Sequence, residues 1–128
     1  MASKSHFEIH VQTQFSAAHH LRGYRGNCEK PHGHNWTVDV HVECNHLNDL
    51  GIGIDFRDVK AAVKTLLGQF DHCDLNALPL FQTENPTCEN VAKYLYKELA
   101  RILNAADIRV TKVGVSETET CGVLYWEE

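Results

Sequence analysis

The chain has 128 residues, is 43% hydrophobic and 23% charged, and carries a formal net charge of −5. That is the profile of one globular domain over residues 1–128, long enough to bury a core without disulfides or a structural metal. It excludes the basic footprint of a nucleic-acid binder, and no apolar run reaches the length of a membrane span. The opening MASKSHFEIH lacks the apolar stretch of a secretory signal. Five cysteines at spacings unlike any disulfide framework point to reduced thiols and a cytoplasmic setting.

The first segment, FEIHVQTQF, alternates Phe7, Ile9 and Val11 with Glu8, His10 and Gln12, the period of a half-buried strand. A loop rich in Gly and Arg follows. HNWTVDVHVEC alternates again, with Trp36, Val38, Val40 and Val42 on one face. The period then changes. Asp55 is a good N-cap for FRDVKAAVKTLLGQF, and Phe56, Val59, Val63, Leu66, Leu67 and Phe70 fall on one helical stripe. A second helix starts near NPTCEN with Thr87 as its cap; Val91, Ala92, Leu95, Leu99 and Ile102 form its stripe. IRVTKVGVSET and CGVLYWEE close the chain as two further strands.

The order ββααββ predicts an α+β layer, a four-stranded antiparallel sheet with two helices on one face. Such a sheet has two open edges, which proteins rarely leave bare. Pairing edge to edge with copies of itself predicts a homo-oligomer, with a barrel of several subunits as one form.

Nine histidines need a reason. His32 and His34, in CEKPHGH, share the parity of Trp36 and Val38, so both imidazoles point to the apolar face. Two such residues sit about 7 Å apart along a strand, close enough for their side chains to meet at one ion. His19, in FSAAHHL, has the parity of Phe7, Val11 and Phe15 and can join them. Three histidines with one open position form the catalytic type of zinc site. Any one of them alone reads more readily as a satisfied core residue.

Cys28 leaves two possibilities open. As a fourth ligand it would close a structural zinc site. As a free thiol beside the metal it would act as a base or nucleophile. Asp71 and His72 follow the first helix; a carboxylate beside an imidazole can transfer protons, which only the second possibility uses, but the pair reads equally as a helix C-terminal turn.

Taken together, FSAAH, C-x3-HGHN, IDF, DH-x2-LN, NPT-x-EN and V-x-ET run in an order that resembles the 6-pyruvoyltetrahydropterin synthase family, from Phe7 to Trp126. The spacing from Cys28 to His32 is nearest to its bacterial branch, which forms 6-carboxytetrahydropterin in the queuosine pathway. The resemblance implies the tunnelling fold, with subunit sheets joined into a barrel and two trimers stacked as a homohexamer. It implies Zn2+ on His19, His32 and His34, Cys28 as a catalytic base off the metal, and Asp71 and His72 as a proton relay at a subunit boundary. Glu117 matches the acid that grips the pterin ring, and Thr87 a residue lining that pocket. Cys88 stands where relatives often carry a small hydroxyl residue.

The implied substrate is a small pterin triphosphate, with neither nucleic acid nor membrane as partner. The implied activity is a zinc-dependent lyase that turns 7,8-dihydroneopterin triphosphate into 6-carboxy-5,6,7,8-tetrahydropterin, acetaldehyde and triphosphate. Arg22, Arg25 and Lys30 are candidate cations for the triphosphate. The rivals are a 6-pyruvoyltetrahydropterin-forming enzyme with the same site and a zinc-stabilised binding module with no activity.

Overall fold

A computed structural model describes residues 4–25 and 30–128, so Cys28 lies outside the described residues. Strands β1 (Phe7–His19) and β2 (His32–Cys44) pair antiparallel over their whole length, Phe7 opposite Cys44 and His19 opposite His32. Helix α1 (Phe56–Leu67) follows, then a short strand β3 (Cys73–Asp74), two 3₁₀ turns, helix α2 (Cys88–Leu103), and strands β4 (Ile108–Ser116) and β5 (Gly122–Tyr125). The sheet order is β3-β1-β2-β4-β5.

The alternation of β1 and β2 places Val11, Phe15, Ala17, Trp36, Val38, Val40 and Val42 on the buried face. The two helices add Val59, Val63, Leu66, Val91, Leu95 and Leu99 to the same core. Asp55 caps α1 by accepting the Arg57 amide, and Thr87 caps α2 by accepting the Asn90 amide. Both caps fall where the sequence places them.

Three features depart from the expected layout. The sheet has five strands, because after α1 the chain turns sharply at His72 (φ 59°) and its amide bonds to the Ser16 carbonyl at 2.6 Å. Cys73 and Asp74 are thereby laid parallel to Ala17 and Ala18. Two residues are too few to carry an alternation signal, and only the tertiary bond defines the strand.

β4 carries a bulge against β2, since Lys112 faces His41 while Val110 faces Val42, leaving Thr111 as the extra residue. The bulge switches parity, so Val110, Val113 and Val115 all reach the core. Finally, Phe56 and Ile102 are exposed, at 55% and 46%. Each sits in the terminal turn of its helix, where the stripe runs past the sheet; Leu103, one residue on, packs against the core instead.

No helix among the described residues is long and apolar enough to cross a membrane. Among them, too, no strand pairs with Phe7–Phe15 on the side of β1 away from β2.

Candidate metal centre

The register of β1 and β2 builds the site. His19 lies directly across from His32, and Ala17 lies across from His34. The small Ala17 side chain leaves room for the rings to gather. Ring centroids are 4.6 Å apart for His19 and His32, 4.7 Å for His32 and His34, and 5.5 Å for His19 and His34. Trp36, fully buried, supports the group from below: its ring lies 4.6 Å from that of His19 and 6.2 Å from that of His34. The Trp36 indole N–H donates to the Ala17 carbonyl at 3.2 Å, so the large ring is itself pinned to β1.

β4 supplies the fourth member. Val113, Val115 and Glu117 share one parity, and Glu117 follows the last residue of the strand. Its carboxylate oxygens lie 3.6 Å from His19 Nε2 and 3.5 Å from His34 Nε2. One ligand atom each from His19, His32, His34 and Glu117 fits within a span of 4.8 Å.

The protonation pattern suits a cation. The His19 Nδ1–H donates to the Pro86 carbonyl at 2.8 Å, and the His32 Nδ1–H donates to the Lys30 carbonyl at 3.1 Å. A ring that gives its Nδ1 proton to a carbonyl turns the Nε2 lone pair outward, the arrangement common behind metal-bound histidine. His19 Nε2 and His34 Nε2 are both buried without a hydrogen-bond partner. Buried polar atoms are seldom left so, and a cation shared between them and the facing carboxylate would satisfy both. Burial lowers the pKa of His19, with His32 and His34 acting in the same direction; the Pro86 carbonyl and Glu117 oppose them. The net effect favours the neutral, ligating form. Three imidazoles fit zinc by donor type and leave a coordination place open, with the Glu117 carboxylate beside them.

The other expected residues are placed as follows. Asp71 and His72 do form a pair, with His72 Nδ1 3.2 Å from Asp71 Oδ1. Asp71 also accepts the Ser16 amide at 2.9 Å, which fixes the turn to β1. This pair sits at the edge of the sheet, just before β3. His72 borders a cleft of about 520 Å³ that Gly33 and His34 also line. The Thr87 hydroxyl accepts the Asn90 amide as a helix cap and keeps its own proton to give.

Of the candidate triphosphate cations, Arg22 is held by backbone. Its guanidinium donates three of its five N–H groups to the backbone carbonyls of Phe81, Gln82 and Glu84, so it is tied to the turn before α2. Arg25 stacks over the Tyr24 ring at 5.2 Å, and Lys30 is exposed.

Two contacts had no reading in the sequence. Cys88 opens α2 beside Glu117, and burial, reinforced by that carboxylate, pushes its thiol pKa up to about 12. The direction favours the neutral thiol, which can donate to Glu117. The second is the Pro86 carbonyl behind His19. The dipeptide NP at a helix start predicts the turn, but nothing in it points to a histidine 67 residues earlier.

A family model described as 6-pyruvoyl tetrahydropterin synthase matches residues 8–128. A protein of Archaeoglobus fulgidus, provisionally named a 6-carboxy-5,6,7,8-tetrahydropterin synthase, is 37% identical over 111 residues, covering 87% of this chain and 88% of its own. The 6-carboxy-5,6,7,8-tetrahydropterin synthase of Bacillus subtilis is 33% identical over 126 residues, covering 93% and 84%. Among solved structures, the 6-pyruvoyl tetrahydropterin synthase of Caenorhabditis elegans superposes with a TM-score of 0.82 over the full length of both chains, at 23% identity. That of Plasmodium falciparum gives 0.73 at 22% identity over 96% of this chain and 98% of its own. These last two likenesses are of fold.

Proposed function

The chain belongs to the 6-pyruvoyl tetrahydropterin synthase family, and on that premise we propose that this pterin enzyme is a zinc-dependent carbon–carbon lyase. It converts 7,8-dihydroneopterin triphosphate and water into 6-carboxy-5,6,7,8-tetrahydropterin, acetaldehyde and triphosphate, the chemistry of queuosine precursor synthesis. The observation that carries this reading is the convergence of His19, His32 and His34 with two buried, unpartnered Nε2 atoms. The relatives named for the 6-carboxy product support the choice of branch.

His19, His32 and His34 would hold the zinc, which supplies Lewis-acid activation of the substrate's side-chain hydroxyls. The remaining roles belong to the chain's own groups. Glu117 accepts two hydrogen bonds from the amino group and ring N–H of the pterin, which orients the ring. Thr87 lines that pocket. The Cys28 sulfur takes a proton from the side-chain carbon. His72, oriented by Asp71, passes protons at the rim.

The Asp71–His72 pair is exposed on the sheet edge, which suits a site completed by a neighbouring subunit. The long outer edge of β1 supports edge-to-edge pairing, and Phe7, Leu47, Ile52 and Phe56 line an apolar cavity of about 260 Å³ beside it. A homohexamer of two stacked trimers is the assembly proposed, in the cytoplasm.

Incubation with the triphosphate and identification of every carbon fragment tests the reading. Acetaldehyde and the 6-carboxy product are expected. Elimination of triphosphate with all three side-chain carbons retained would identify the 6-pyruvoyl activity instead. A Cys28→Ala protein that loses both zinc and fold would identify a structural site and a binding module.

A further inference from the structure

Beyond His19 the chain leaves the sheet, and two asparagine side chains continue the pairing. Asn76 accepts the His20 amide at 2.9 Å and donates to the His20 carbonyl at 3.0 Å. Asn85 does the same two residues on, accepting the Arg22 amide at 2.9 Å and donating to the Arg22 carbonyl at 3.0 Å. Each carboxamide thus acts as a one-residue substitute for a strand.

Asn85 does more than Asn76. Its own carbonyl accepts from the Thr87 amide at 2.9 Å and from Asn90 Nδ2 at 2.8 Å. These bonds span Pro86, whose ring already fixes φ. The Pro86 carbonyl is therefore held from both sides, and it is this carbonyl that takes the His19 Nδ1 proton. His19 is the buried polar residue among those described, 1% exposed, so no water competes for that proton.

We propose that Asn85 is a positioning residue for the metal centre: by tying Arg22 to the Asn85–Thr87 turn it fixes the Pro86 carbonyl, and through it the tautomer and aim of His19. This rests on the zinc reading given above for the affinity it predicts, but not for the tautomer. Groups behind a metal-bound histidine typically contribute about 10–100-fold in metal affinity.

The test uses the full chain with Asn85→Ala, with Asn85→Asp as the milder change that keeps an acceptor for the Arg22 amide. Val63→Ala, a core truncation remote from the turn, controls for lost stability. Two quantities are read: the His19 ring tautomer from nitrogen–proton NMR of the metal-free protein at pH 8, and zinc affinity by competition with a chelator. Asn85→Ala is expected to lose the single Nδ1–H tautomer and to weaken zinc about 10–100-fold, Asn85→Asp less so, and Val63→Ala to keep both.

A fixed Nδ1–H tautomer in Asn85→Ala, or a zinc loss no larger than in Val63→Ala, overturns the proposal. If Asn85→Ala does not fold, the same comparison is decided by Asn85→Asp. A parent protein with the fixed tautomer but without zinc binding would instead refute the metal reading and leave the positioning intact.

Discussion

His19 and His32 face each other across the β1–β2 ladder, their rings 4.6 Å apart, and each gives its Nδ1 proton to a backbone carbonyl. Opposed residues on one face of an antiparallel pair are the closest neighbours a sheet offers. Two strands running to the same point, plus His34 two residues along, gather three nitrogens with no loop needing to close over them. In the proposed division of labour the histidines hold metal, and Glu117, which follows β4, holds the pterin. His32→Ala is expected to lose bound zinc in metal analysis. Glu117→Ala is expected to keep zinc and to bind the pterin about 10–100-fold more weakly, the loss of a charged hydrogen-bond acceptor worth ~1.5–3 kcal/mol. Equal losses of metal and ligand in both variants would contradict it.

Phe15 stacks on Trp36 at 5.5 Å and meets Phe70 at 5.7 Å, and it is 2% exposed. It ties the floor of the histidine group to the end of α1. Phe15→Ala should lower stability by ~3–5 kcal/mol in denaturant unfolding, from lost burial and the cavity left behind. A loss below about 1 kcal/mol would mean the core collapses around the gap far better than core truncations usually do.

Much of this layout is legible in the sequence, for a definite reason. Parity fixes faces, so Trp36 and Val38 predict where His32 and His34 point, and Asp55 and Thr87 announce the two helix starts. What escapes is whatever depends on tertiary bonds alone. The β3 strand exists because His72 bonds to Ser16. The bulge at Thr111 resets parity with no mark in the residue types. Arg22 reads as a free cation in a loop, yet three carbonyls of a distant turn take three of its five donors.

Gly53 packs against the buried Cys44 thiol, and a β-carbon there would overlap Cys44 Sγ. Gly53→Ala should therefore destabilise the fold by ~1–3 kcal/mol, the usual scale of overpacking. Cys44→Ala clears the space, so the double variant should be more stable than the sum of the two single losses predicts. Additive losses in that cycle would show the two sites to be uncoupled.

The Ser16 amide, with help from His72, holds the Asp71 carboxyl below its ordinary value of 3.8. The folded pKa lies below the unfolded one. The charged form therefore stabilises the fold in full above 3.8, and that contribution is lost as pH falls through the lower folded value. Asp71→Asn keeps an oxygen for the Ser16 amide but removes the charge. The stability gap between parent and variant, followed by unfolding midpoints across the acid range, should be constant above this region and close as pH falls. A gap that widens toward acid would reverse the sign and refute the assignment.

In the proposed site three imidazole nitrogens hold one zinc ion while Cys28 stays off it. X-ray absorption at the zinc edge of the purified protein tests this most directly. Stoichiometric zinc with three nitrogen neighbours at about 2.0–2.1 Å and no sulfur shell is expected. A sulfur neighbour at about 2.3 Å, or a protein that purifies and folds without binding zinc at all, would contradict it.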